Sequence, residues 1–174
     1  MASAVVILAE GFEEIEAVTV IDVLRRAKVD VTVAGLGSMK VKGARGQITV
    51  IPDMELKDAP KEPDAIILPG GMPGSSNLAD SPLVAERVVA NYKAGRIVAA
   101  ICAAPAVALA KFGVLDGREA TCFPGFEKNF PDTVTYVDDP VVTDANIITS
   151  QGVGTAMYFA LALVDALVDE ETSD

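Results

Sequence analysis

The chain is predicted to fold as an α/β protein: a mostly parallel sheet covered by helices on both faces. Three observations carry this expectation. Short, continuous apolar runs at residues 4–9, 64–68, 96–101 and 146–150 have the composition of strands buried on both faces. Segments with helical periodicity alternate with them, at residues 13–27, 83–94 and 155–168. At 174 residues, 51% apolar and 22% charged, the chain is long enough for one sizeable core, so a single domain over residues 1–174 is expected.

Each element has its own reason. Residues 4–9 form the first strand, and residues 10–12 connect it to helix 13–27. That helix has an apolar stripe (Val20, Val23, Leu24, Ala27) and an acidic start, where Glu13 and Glu14 read as exposed. Residues 29–36 give the next strand and complete a βαβ unit within about 35 residues. The first loop offers only Gly11 among Glu10, Glu13 and Glu14, which would repel a pyrophosphate, so no dinucleotide site is read there. Residues 39–42 and 47–51 flank Gly43-Ala-Arg-Gly46 as a hairpin, and residues 56–59 form a helical turn. Strand 64–68 runs into Pro69-Gly70-Gly71, where the missing Cβ atoms either expose N–H groups to a ligand or simply make a turn.

Helix 83–94 leads to the central strand 96–101, and residues 103–111 read as a helix with Pro105 in its first turn. Cys102 stands at that junction. This is the layout of a nucleophile elbow without its usual glycines, and unpaired N–H groups there would favour a thiolate. On this stretch alone the residue reads equally well as a small buried core cysteine. Short strands follow at 119–122, 134–136 and 141–142, with an aromatic segment at 123–130. Strand 146–150, the loop Gln151-Gly-Val-Gly154, helix 155–168 and an acidic tail at 169–174 close the chain. In such sheets sites lie beyond the carboxyl ends of the strands. Four loops meet there, at residues 10–16, 69–74, 102–103 and 150–154, and their convergence makes Cys102 a candidate nucleophile.

Composition removes several function classes. A formal net charge of −11 argues against nucleic acid as a main partner. Two cysteines, no basic leader and no long apolar segment predict a soluble protein of the reducing cytoplasm with no membrane association. The chain has no histidine. This excludes Ser-His-Asp and Cys-His catalysis and His-based zinc sites, so any general base is a carboxylate, a lysine, a tyrosine or water. Neither a metal nor a cofactor is expected.

Five motifs stand in order along nearly the whole chain: Gly11-Phe-Glu-Glu-Ile-Glu-Ala17, Val31-Thr-Val-Ala-Gly-Leu36, Leu68-Pro-Gly-Gly71, Ala99-Ala-Ile-Cys-Ala-Ala-Pro105 and Thr149-Ser-Gln-Gly-Val-Gly-Thr155. With them the chain resembles the ThiJ/PfpI superfamily, in its DJ-1 branch. The resemblance implies a flavodoxin-like (Rossmann-like) sandwich and a homodimer. It implies Cys102 as the nucleophile, Glu16 as the carboxylate beside the sulfur, and Gly71 and Ala103 as backbone donors. It places Arg45 in the hairpin and Arg26 in the first helix around the pocket or dimer interface. A histidine that some members hold near the cysteine falls at Phe123, and a second sensitive cysteine falls at Ile51. Where close members continue into a further helix over the cleft, that helix is expected to be missing or shortened.

The activity implied is a cofactor-free, cysteine-dependent glyoxalase III or deglycase, acting on methylglyoxal or early glycation adducts in oxidative-stress protection. Its alternative is a non-enzymatic redox sensor or chaperone using an oxidisable Cys102. Intracellular protease or amidase activity ranks below both, because no histidine can protonate an amine leaving group. If Glu16 meets the sulfur in an apolar cavity, the two acids should not ionise together. The thiol is then expected below its usual value of roughly 8.5, with Glu16 as the neutral donor.

Overall fold

Strand β1 (Ser3–Leu8) divides its side chains between two cores: Val5 and Ile7 join one, Ala4, Val6 and Leu8 the other. Both faces are covered, so the strand is apolar at every buried position rather than alternating. The computed structural model describes residues 1–46 and 48–173. Gln47, at the start of a predicted strand, and Asp174 in the tail lie outside them.

After β1 come α1 (Glu14–Arg26) and β2 (Asp30–Gly35). A hairpin follows, made by β3 (Val41–Lys42) and β4 (Thr49–Val50), then β5 (Met54–Glu55) and a 3-10 turn at Leu56–Asp58. Next are β6 (Ala65–Leu68), α2 (Gly74–Ala79), α3 (Pro82–Lys93) and β7 (Ile97–Ile101). A π-helical segment, Pro105–Leu109, leads to β8 (Glu119–Ala120), β9 (Thr135–Tyr136), β10 (Val141–Asp144) and β11 (Ile147–Ser150). Helices α4 (Ala156–Leu167) and α5 (Glu170–Ser173) complete the described chain.

Seven strands form the main sheet in the order β10-β11-β7-β6-β1-β2-β5, parallel except for the edge pair β10–β11. The chain builds outward from β1 in one direction through β2 and in the other through β6. The strand order reverses between β1 and β6, and a crevice opens beyond their carboxyl ends. Helices α1 and α4 cover one face through Ala17, Val20, Leu24, Phe159 and Leu163. Helices α2 and α3 with the π-helical segment cover the other through Leu78, Val84, Val88 and Leu109. The predicted α/β sandwich is therefore the observed one.

Local chemistry explains the boundaries. Ser81 caps α3, its Oγ accepting the Val84 N–H at 3.3 Å, with Pro82 as the first helical residue. Arg87 is buried with no carboxylate partner among the described residues; its guanidinium donates to the carbonyls of Leu56, Ala59 and Pro60 and ties α3 to the chain before β6.

Two features differ from the sequence-based expectation. The helix expected at residues 103–111 is π-helical over Pro105–Leu109, with the Ala110 N–H bonded to the Pro105 carbonyl at 3.0 Å. Pro105 brings no N–H to close an α-turn onto the strand end, so the ladder starts with a wider turn. Helix α2 and strand β5 were not expected. The Gly-Ser-Ser-Asn start of α2 has weak helix propensity, and β5 is only two residues long. Both exist because a neighbour completes their hydrogen bonds: the Gly74 N–H meets the Gly11 carbonyl at 3.2 Å, and β5 pairs with Ala34 and Gly35.

Phe159 is fully buried between α4 and the sheet. Phe159→Ala should lower unfolding free energy by about 3–5 kcal/mol in urea denaturation, while exposed Lys93→Ala should change it by no more than about 0.5 kcal/mol.

Candidate active site

The chain leaves β7 through a left-handed residue. Cys102 has φ 66°, a conformation that costs a non-glycine residue of the order of 1–3 kcal/mol. Its neighbours hold it there. Its N–H bonds the Ser150 carbonyl at 3.0 Å, and its carbonyl accepts the Phe123 N–H at 2.8 Å. The turn carries the half-buried side chain out of the sheet at the strand's carboxyl end.

Glu16 lies in the first turn of α1 and is fully buried. Its Oε2 accepts the Gly70 N–H at 2.8 Å. Its Oε1 has no oxygen or nitrogen partner among the described residues, and the carboxyl group lies against the Cys102 thiol. Only glycine allows this approach. A Cβ on Gly70 would stand 2.4 Å from the Cys102 Cβ and 2.6 Å from Glu16 Oε2. The Gly70 carbonyl in turn accepts the Glu13 N–H at 2.8 Å, so the loop after β6 is fastened to the start of α1 on both sides. Gly71, at φ +93°, and Ala103 turn their N–H groups toward the sulfur.

These groups open onto a cleft of about 290 Å³, whose walls include Arg45, Phe123, Phe126 and Val153. All four loops predicted to converge do so, and the β3–β4 hairpin and the aromatic segment add a wall each. The 150–154 loop is shaped by Thr155, whose Oγ1 accepts the N–H groups of Gly152 at 3.0 Å and Gln151 at 3.2 Å. The Phe123 ring closes over Gly152, where a Cβ would stand 3.1 Å from it.

The structure thus brings together Cys102, Glu16, Gly71, Ala103, Arg45 and Phe123. It does not bring in Arg26. That residue lies ten positions along α1 from Glu16, about 15 Å at helical rise, and pairs with Asp22 on the surface at 3.1 Å. Of the two places expected for Arg26, pocket or dimer interface, it is not in the cleft. The exposed placement of Glu13 and Glu14 is corrected. Both are buried, Glu13 against the cleft and Glu14 under the hairpin, where its Oε1 accepts the Arg45 N–H at 3.3 Å. Acidic residues at a helix start signal solvent only when nothing packs over them, and here the hairpin does. Gly70's role as donor to Glu16 was not read from sequence, although its signal, two glycines after a buried strand, was present.

Burial raises the Glu16 carboxyl to about 7; the Gly70 N–H and the Cys102 thiol oppose this, and the charge of Glu13 adds to it. Burial likewise pushes the Cys102 thiol up to about 12, reinforced by the Glu16 carboxylate and opposed by the Gly71 and Ala103 N–H groups. The thiol is therefore raised where the helix-start argument predicts it lowered: burial, and then the acid that shares the sulfur's cavity, outweigh the backbone donors. Between these two values the pair carries one negative charge and one proton. Cys122 is fully buried, its thiol also pushed up to about 12 by burial and then by Glu127, and it does not line the cleft. Among the described residues, no three His, Cys, Asp or Glu side chains are grouped so as to hold a metal ion.

With this geometry in place, similarity to known proteins becomes informative. Residues 2–166 match the family described as DJ-1/PfpI. Protein dj-1beta of Drosophila melanogaster is 44% identical over 172 residues, covering 97% of this chain and 91% of the relative. A Caenorhabditis elegans protein named glutathione-independent glyoxalase DJR-1.2 is 39% identical, covering 99% and 92%. The crystal structure of a DJ-1 superfamily protein from Salmonella typhimurium superposes with TM-score 0.95 at 37% identity, covering 99% and 94%.

Two outcomes test the site. In the fold Glu16 keeps a proton that the unfolded chain has released, so its burden on stability is absent below about pH 4.5 and grows as pH rises to 7. Relative to Glu16→Gln, the wild type should lose up to about 3 kcal/mol of stability between about pH 5 and about pH 8, read by urea denaturation at each pH. Limited peroxide treatment followed by peptide mass spectrometry should place added oxygen on Cys102 and leave Cys122 unmodified; the reverse would overturn the assignment.

Proposed function

Because the chain belongs to the DJ-1/PfpI family, we propose that it is a cofactor-free, glutathione-independent glyoxalase acting on methylglyoxal or on early glycation adducts formed from it. One observation carries the reading: the buried Glu16 carboxyl lies against the Cys102 thiol, with the Gly71 and Ala103 N–H groups turned toward the sulfur in one cleft. The C. elegans relative's name supports the same reaction class.

The chemistry follows from those groups. The sulfur, its proton taken by Glu16, adds to the aldehyde carbon, and Glu16 passes that proton to the oxygen formed, which gives the hemithioacetal and leaves the carboxylate free to act as base. The oxygen formed there accepts the Gly71 and Ala103 N–H groups. Glu16 removes the proton from the former aldehyde carbon and returns a proton to the adjacent carbon. The first carbon reaches the thioester level as the second is reduced to an alcohol, and water then releases lactate. A carboxyl raised to about 7 suits both taking and returning a proton near neutrality. With no histidine in the chain, Glu16 is the proton carrier nearest the sulfur.

A second reading has its own observation. Near neutrality Glu16 retains a proton that can be donated to an oxidised sulfur, which suits a redox-sensing or chaperone role for Cys102. In either reading the protein works as a homodimer. Exposed Ile15 and Val18 on α1 and exposed Ile48 and Ile51 at the hairpin offer the apolar surface, with the surface pair Arg26–Asp22 on the same helix. No described helix is long and apolar enough to cross a membrane, and the cytoplasm is the proposed location.

The wild type should consume methylglyoxal without glutathione. Cys102→Ser should abolish this, and Glu16→Gln should slow it by about a hundredfold or more. Undiminished consumption by Cys102→Ser would refute the reading.

A further inference from the structure

We propose that Glu13 is the general base of the hydrolytic half-reaction, activating the water that releases the acyl group from Cys102. The inference rests on the glyoxalase reading and extends it to the step for which that reading names no base. The cleft holds four side chains able to carry charge: Glu13, Glu16, Arg45 and Cys102. During hydrolysis the sulfur is acylated. Arg45 remains protonated at any working pH and cannot accept a proton. Glu16 has no exposed surface, its Oε2 is held by the Gly70 N–H, and its carboxyl is packed against the sulfur, so it is committed to proton transfer beside the sulfur.

Glu13 differs on each count. It lines the same cleft and is 9% exposed. Its side chain makes no hydrogen bond or ion pair among the described residues, and neither carboxyl oxygen is an orphan sealed in the interior. It occupies the position that caps α1, yet its side chain does not cap the helix. Its backbone is fixed, because its N–H bonds the Gly70 carbonyl at 2.8 Å. A nine-tenths-buried carboxylate without a structural partner is thus held at the wall of the cleft that contains the sulfur. Its charge is felt by Glu16, which places the two carboxyl groups in one electrostatic neighbourhood.

The step balances as follows. Glu13 takes one proton from water as the water oxygen bonds to the thioester carbonyl carbon. The carbonyl electrons move to oxygen, where the Gly71 and Ala103 N–H groups receive them. The intermediate then collapses, the carbon–sulfur bond breaks with its electron pair returning to Cys102, and lactic acid leaves. Its proton and the one on Glu13 pass to solvent and to the Cys102–Glu16 pair. No oxidant or reductant is required.

The test uses Glu13→Gln, which keeps size and polarity but cannot accept the proton. Rapid-quench mass spectrometry of wild type and variant mixed with methylglyoxal should show a lactoyl group accumulating on Cys102 of the variant. Steady turnover should fall by about a hundredfold or more after a first-turnover burst. Hydroxylamine, a nucleophile that needs no base, should restore turnover. Wild-type turnover by the variant, or loss of the burst itself, would overturn the assignment to hydrolysis. If wild-type protein forms no acyl group and consumes no methylglyoxal, the glyoxalase reading fails instead.

Discussion

The site depends on one hydrogen bond, from the Gly70 N–H to Glu16 Oε2 at 2.8 Å. A buried carboxyl group is unfavourable unless its oxygens are satisfied, and this bond is the only conventional one that Glu16 has among the described residues. It can form only because Gly70 has no Cβ, which would otherwise collide with both Cys102 and Glu16. It joins the loop after β6 to the first turn of α1, across the point where the strand order reverses. The reciprocal bond from the Glu13 N–H to the Gly70 carbonyl makes the same peptide a two-sided clamp. Around that clamp the left-handed Cys102 is positioned by β11 on one side and by the chain at Phe123 on the other.

The electrostatics follow from this packing. Two acids are confined together, and burial raises both, Glu16 to about 7 and Cys102 to about 12. Backbone N–H groups oppose the rise at each: Gly70 at the carboxyl, Gly71 and Ala103 at the sulfur. The result is a pair that acquires its single charge near neutrality, at Glu16, and keeps one proton above that as chemistry at the sulfur proceeds. Reactivity in this arrangement comes from the pair and its donors.

Much of the fold was legible because both faces of the sheet are covered. Strands such as β1 and β6 then appear as unbroken apolar runs, and helices such as α1 show a stripe. The convergence of four loops could be read from the rule that sites lie beyond the carboxyl ends of parallel strands. Arg26, expected at the pocket or the dimer interface, lies ten positions along α1 from Glu16 and stands at the surface outside the cleft. Helix α2 and strand β5 were not legible, because their backbone bonds are completed by partners distant in sequence.

By itself, the sequence determined the α/β class, the strand that ends at Cys102, the absence of any histidine and the candidate acid at Glu16. The first three follow from composition and periodicity, which are local properties of the chain; the candidate acid follows from the motifs' resemblance to the DJ-1/PfpI family. Tertiary structure alone decided which acids are buried, which of them meets the sulfur, and in which direction their proton affinities move. Glu13, Glu14 and Glu16 are chemically identical in the sequence. Glu16 is held against Cys102 by Gly70, Glu14 supports the hairpin at Arg45, and Glu13 lines the cleft without a partner. Desolvation depends on what packs over a group, and for these three carboxylates that is supplied by segments some thirty to ninety residues away in the chain.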